Sequence, residues 1–220
     1  MSVRVVSCVD RAAAEAACAA RLAALLGAAL ADRAGRVGLL VSGGATPTRV
    51  LPLLLAEKLD WDRVDMLASD ERLTPLDHPD STEGMARGLL RRFGRGARYL
   101  GPGGLTDPAA AERAWRSAIA AAPWPLAGGL IGVGADGHVA SLFPGRPEIL
   151  DAGLRTAFVP ETPPHAHPRL TLGPAALAQA GELVLVAGDA AKRAVLARAG
   201  APLALLSAAI DVTAFTAIGP

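Results

Sequence analysis

His138 closes the run Gly132-Val133-Gly134-Ala135-Asp136-Gly137-His138, in which three of the seven residues are glycine. An imidazole titrates near pH 6.5 when unperturbed, so at neutral pH it is an available base. Asp136 is a candidate to orient that base, although residues two apart commonly point away from each other. Asp70 and Glu71 are the other carboxylates considered for this role, and the choice stays open. The run has the form Gly-x-Gly-x-x-Gly. A dinucleotide site, however, needs a long helix after the glycines and an acid about 20 residues further on. Pro144 and Gly145 cut short any helix opened near His138, and no acid stands at that place. A nicotinamide-dependent oxidoreductase is therefore disfavoured.

Three further groups carry chemistry. In Ser42-Gly43-Gly44-Ala45-Thr46-Pro47 the glycines allow close backbone approach, and the helix expected to follow offers N–H groups and a positive dipole end to an anion. The bland alternative is a tight turn with Thr46 as helix cap. No lysine follows these glycines, so this is not a nucleotide P-loop. Ser69-Asp70-Glu71-Arg72 places two acids and an arginine at a strand end. They can bind sugar hydroxyls, hold an oxyanion or orient a base; otherwise they form a solvated turn. Arg169 and Lys192 suit a phosphate, the first through a forked contact and the second as a point charge, or else are surface charges. Of the 22 basic residues only Lys58 and Lys192 are lysines, which singles Lys192 out. His78, His165 and His167 read as exposed. Ser141 lacks a Gly-x-Ser-x-Gly setting and is not taken as a nucleophile.

These groups must be held by the elements between them. Short apolar runs predict strands at Val3–Cys8, Val37–Val41, Val64–Ala68, Leu126–Val133, Arg155–Val159, Leu183–Ala187 and Ile210–Ile218. Helices are expected from an Asp10 cap to Gly35 and over Thr46–Lys58, Ser81–Phe93, Asp107–Ala122 and Asp189–Ala199. Strand–helix alternation specifies βαβ units and a mainly parallel sheet, whose ligands sit beyond the carboxyl ends of the strands. Each informative loop follows a predicted strand, so all can share that edge. With no linker or repeat, residues 1–220 read as a single domain.

Bulk properties narrow the classes. Net charge is +1 and the basic clusters are mostly pairs such as Arg91-Arg92, so a nucleic-acid partner is not expected. A hydrophobic fraction of 51% excludes disorder, and aromatics at 4% leave the packing to Ala, Val and Leu. The greasy stretch from Arg11 to Asp32 has Leu22–Ala31 as its longest charge-free run, too short to span a bilayer. Cys18, Leu22, Leu25, Leu26 and Leu30 instead mark a helix packed on a core. Cys8 and Cys18 form no metal motif and read as buried small hydrophobes in a reducing, cytoplasmic compartment.

Taken together, Ser42–Pro47, Ser69–Arg72, Gly132–Gly145, Arg169–Leu172 and Gly188–Lys192 resemble the 6-phosphogluconolactonase family. The most specific piece is Gly-His138-x-Ala140-Ser141-Leu142-Phe143-Pro144-Gly145 with Asp136 ahead of it. The resemblance implies a three-layer αβα sandwich with a Rossmann-like sheet, akin to the glucosamine-6-phosphate isomerases and deaminases. It implies hydrolysis of 6-phosphogluconolactone in the pentose phosphate pathway, with no metal or organic cofactor. His138 would activate water, with Asp136 and Arg72 beside it in the catalytic set. Ser42, Gly43, Gly44 and Thr46 would lie in the phosphate and sugar region, Arg169 and Lys192 would hold the phosphate, and Asp70 and Arg72 would face the sugar ring. The expected partner is a small sugar-phosphate lactone, with neither nucleic acid nor membrane, and the chain is a monomer or small homo-oligomer. Departures from the family pattern are Ala45 for a frequent Ser, Ser81-Thr82 for Ser-Asn, and Thr162 where Lys is common; the tail after Pro202 matches poorly. Two rivals remain. A glucosamine-6-phosphate deaminase usually has Asp-Glu-Tyr where Asp70-Glu71-Arg72 stands. A non-catalytic sugar-phosphate sensor usually carries an added DNA-binding module.

Overall fold

The computed structural model describes residues 3–146, 150–161, 165–198, 200 and 202–218. Thr162, one of the departures above, lies outside them.

Five apolar runs become strands of one sheet: β1 (Val3–Cys8), β2 (Val37–Val41), β3 (Val64–Ala68), β9 (Leu183–Ala187) and β10 (Val212–Ala217). Two short strands complete it, β5 (Arg98–Leu100) and β6 (Gly128–Leu130). The order is β1-β10-β9-β6-β2-β3-β5, with every neighbouring pair parallel. β2, β3, β9 and β10 are buried along their whole length, as strands covered on both faces must be. Helices α1 (Arg11–Asp32), α2 (Ala45–Ala56), α3 (Thr82–Arg92), α4 (Pro108–Ala121) and α6 (Ala190–Arg198) flank this sheet, giving the three-layer α/β sandwich.

α1 is capped by Asp10, whose carboxylate accepts the Ala13 N–H at 2.7 Å. It stops at Arg33, which turns extended, two residues short of Gly35. By length and composition α1 is apolar enough to cross a membrane. Its stripe of Ala14, Cys18, Leu22 and Leu26 is instead fully buried, and the helix packs on α2, β10, β9 and β6. Cys8 is only half-buried, contrary to the expectation that both cysteines are core.

A second, smaller sheet was not anticipated. β4 (Asp70–Arg72), β8 (Arg169–Leu172) and β7 (Thr156–Val159) pair antiparallel in the order β4-β8-β7. The Leu172 N–H donates to Ser69 O at 2.8 Å and ties it to the end of β3. The tail also folds, into α7 (Leu203–Ala209) and then β10. β10 lies between β1 and β9, so the poorly matching C-terminus supplies an interior strand next to the edge strand β1.

Candidate active site

Because the large sheet is parallel, the residues after β2, β3, β6 and β9 emerge at one edge. They enclose a cavity of about 250 Å³ lined by Ser42–Pro47, Asp70, Arg72, Gly132–Gly134, His138, Ala140, Arg169 and Lys192. The lining carries three cations, Arg72, Arg169 and Lys192, against the single carboxylate of Asp70. That imbalance favours an anionic ligand.

His138 is not at a helix start. Gly137 (φ 93°) and Ala140 (φ 52°) are left-handed, and Val133, Val139 and Leu142 form only isolated bridges, so the segment turns back on itself. The turn makes the contact that a two-residue spacing disfavours: His138 Nδ1 lies 2.6 Å from Asp136 Oδ1, which also accepts the His138 backbone N–H at 3.2 Å. Gly134 is required here. A Cβ on it would lie 2.2 Å from His138 Nδ1 and 2.4 Å from Asp136 Oδ1. Burial pushes the His138 pKa below its ordinary value, against the opposing pull of Asp136. Although burial works against it, the Asp136 carboxyl is held below the usual range by the His138 N–H and the two neighbouring imidazoles. An ionised carboxylate only accepts, so Nδ1 of neutral His138 carries the proton and Nε2 keeps the lone pair.

Of the three carboxylates considered, Asp136 is the one bonded to His138. Asp70 is buried and accepts from Ser69 Oγ (2.9 Å) and Ser141 Oγ (2.7 Å), with Arg169 Nη1 at 3.9 Å. The solvated-turn reading of this segment is thus overturned, and Ser141 serves as a buried donor to Asp70. Glu71 points elsewhere: it accepts from the backbone N–H groups of Arg72, Thr82 and Glu83, capping α3. Burial pushes its carboxyl up to about 8, against the pull of the Thr82 and Glu83 N–H groups.

The start of α2 lines the same cavity. Gly44 is its N-cap at φ 100°, which a side chain would strain, and among the described residues no side chain caps the helix end. Thr46 is therefore within the first turn and is not the cap. Its Oγ1 accepts from Lys192 Nζ at 3.2 Å, which joins the glycine loop to the first turn of α6. Ser42 Oγ and Ser69 Oγ are 2.7 Å apart. Arg72 Nη1 donates to Asp80 O at 2.9 Å and stands beside Gly43. Arg169 is buried with its guanidinium 5.6 Å from the centre of the Phe143 ring. Ser42, Gly43, Gly44, Thr46, Asp70, Arg72, His138, Arg169 and Lys192 thus line one cavity and Asp136 bonds to His138 at its edge, whereas Glu71 does not reach it.

The three histidines read as exposed are half-buried and bonded. His167 Nε2 meets Asp80 Oδ2 at 3.2 Å, and His78 Nδ1 accepts the Asp80 N–H at 3.1 Å. His165 Nε2 meets Asp136 Oδ2 at 3.1 Å, beside His138. Both three-residue groups, His78–Asp80–His167 and Asp136–His138–His165, bring their donor atoms within 4.8 Å of one another. The hydrogen bonds inside each account for that closeness.

Fold and site together define a three-layer α/β protein. Beyond its strand ends it carries a cation-lined cavity whose lining includes a carboxylate-oriented imidazole and a helix N-terminus. Residues 9–211 match the family described as glucosamine-6-phosphate isomerases/6-phosphogluconolactonase, and the chain belongs to that family. A 6-phosphogluconolactonase of Mesorhizobium japonicum is 37% identical over 195 residues, 84% of this chain and 80% of the relative. Another, of Pseudomonas aeruginosa, is 39% identical over 187 residues, 81% of this chain and 77% of the relative. The crystal structure of a 6-phosphogluconolactonase from Shewanella baltica superposes with a TM-score of 0.86 over 98% of both chains, at 24% identity, a likeness of fold.

Proposed function

We propose that this protein is a carboxylic ester hydrolase that converts 6-phospho-D-glucono-1,5-lactone to 6-phosphogluconate in the pentose phosphate pathway. The observation that carries this reading is one cavity lined both by His138, paired with Asp136, and by the N-terminus of α2 with Lys192. The relatives named 6-phosphogluconolactonase support it.

The phosphate dianion sits at the Gly43-Gly44 turn, where helix N–H groups, Lys192 and Arg169 supply donors. Its grip orients the ring so that the lactone carbonyl meets His138. Nε2 of His138 removes a proton from water as the water oxygen bonds to the carbonyl carbon. Arg72 stabilises the oxyanion. The intermediate collapses, the bond from the carbonyl carbon to the ring oxygen breaks, and the imidazolium returns its proton to that oxygen. The products are a hydroxyl and a carboxylic acid, which ionises at neutral pH. Asp136 stabilises the imidazolium between the two transfers.

The test is acid release from fresh lactone in a pH-stat, with the uncatalysed rate subtracted. Strong acceleration that weakens without the 6-phosphate is expected; a rate equal to background from folded protein overturns the reading. In the same assay Lys192→Ala raises KM by about 10- to 100-fold, as loss of a hydrogen bond to a charged group should, with kcat changed far less. An unchanged KM removes Lys192 from the phosphate site. The residue is half-buried at a helix start and its ammonium bonds to the Thr46 hydroxyl, so folding should tolerate the change.

A further inference from the structure

We propose that His165 is a positioning residue, one that holds Asp136 in the orientation that orients His138. The inference rests on the reading of His138 as the base.

The two oxygens of Asp136 have different tasks. Oδ1 serves the Nδ1 and backbone N–H of His138, and Oδ2 meets Nε2 of His165 at 3.1 Å. The Asp136 side chain is 45% exposed and stands on a turn flanked by glycine. A carboxylate so placed is free to rotate toward water, and His138 alone engages only one of its oxygens. His165 engages the other from a separate segment, the connection between β7 and β8. Its ring is itself fixed, edge-on to His138 (centroids 4.9 Å apart, 79° between planes) and 4.8 Å from Phe143. Phe143 in turn lies 5.0 Å from His138. Because an ionised carboxylate accepts only, His165 donates to it from Nε2. Clamped from both sides, Asp136 presents Oδ1 to Nδ1 continuously, and His138 keeps its lone pair on Nε2. Freed on one side, the carboxylate leaves Nδ1 for part of the time. Nε2 then competes for the proton, and in that tautomer His138 cannot accept one from water.

The other charged groups around His138 do not supply this restraint. Asp70 is held by Ser69 and Ser141, Arg169 faces Asp70 and the Phe143 ring, and Arg72 and Lys192 bond to Asp80 O and Thr46 Oγ1.

The experiment compares His165→Ala and His165→Gln with the unaltered protein by lactonase kinetics and by ¹H–¹⁵N correlation of the imidazoles, which reads the tautomer of His138 directly. In Gln the Nε2 amide offers an N–H near the position of the imidazole Nε2. His165→Ala is expected to lower kcat about tenfold with KM within about twofold, and to convert His138 from a single tautomer to a mixture. His165→Gln is expected to recover most of both. If His165→Ala leaves both kcat and the tautomer ratio unchanged, or if Gln behaves as Ala does, the proposal is overturned. Should the unaltered protein show no lactonase activity, the reaction reading fails alone: a tautomer shift in His165→Ala, reversed in Gln, still upholds the positioning role, and its absence overturns it.

Discussion

Replacing His138 by alanine should lower kcat for the lactone by about a hundred- to ten-thousand-fold, the range a positioned general base contributes, while KM changes little. The phosphate donors are other residues of the cavity lining, so its loss leaves the grip on the substrate in place. Residual turnover would come from binding and the oxyanion donor. The unaltered protein gives the companion result. Burial holds the His138 pKa below its usual 6.5, so the imidazole is neutral at pH 7. Lowering the pH through the depressed pKa protonates it and removes the base. A plot of kcat/KM against pH should be level at pH 7, with its acid limb below pH 6.5 and falling about tenfold per unit. The slow reaction of His138→Ala should lack that limb. A limb that survives in the variant would belong to another group and would cost His138 its role.

The part of the molecule legible in the sequence is the part whose signal is local. Val37–Val41 is apolar at every position and Val64–Ala68 at every position but Asp65, a pattern that suits strands buried on both faces. Asp10 caps α1 as its type and place suggest. The small sheet is different. Asp70–Arg72 is wholly charged, and it is a strand only because Arg169–Leu172, about a hundred residues later in the chain, pairs with it. A short strand of this composition has no pattern of its own. The same holds for side chains. Glu71 reads as a site acid, and only the packing of α3 against β4 shows its carboxylate capping that helix. The missing elbow around Ser141 gives no sign of its bond to Asp70. His165 lies in a proline-rich, polar segment whose composition reads as solvent-facing, and its partner Asp136 is 29 positions away. Ala140-Ser141-Leu142-Phe143 has helical composition, and the left-handed residues at 137 and 140 turn it into a loop. Where a residue's state depends on a distant partner, the sequence carries the ingredients without the contact.

Asp136→Asn should lower kcat by a factor of about 10² to 10³. Exchanging the carboxylate for an amide beside a catalytic imidazole can cost ~10⁴ when the carboxylate is buried. Asp136 is 45% exposed, so water screens part of its charge and the smaller effect is expected. Two losses combine. A carboxylate accepts only, and so fixes the proton on Nδ1 of His138; an asparagine can instead donate to Nδ1, which leaves Nε2 protonated and unable to act. The imidazolium formed during the reaction also loses its counter-charge. The second loss has a signature that distinguishes it from mere misplacement. Asp136 raises the His138 pKa against the lowering effect of burial, so removing the charge drives that pKa lower still. Asp136→Asn should therefore be slower on the pH plateau, with its acid limb displaced to lower pH. A fall in kcat with an unmoved limb would mean that Asp136 acts through geometry alone. Full activity would transfer the supporting role to Asp70, whose charge also reaches His138 and whose substitution would then have to produce the displaced limb.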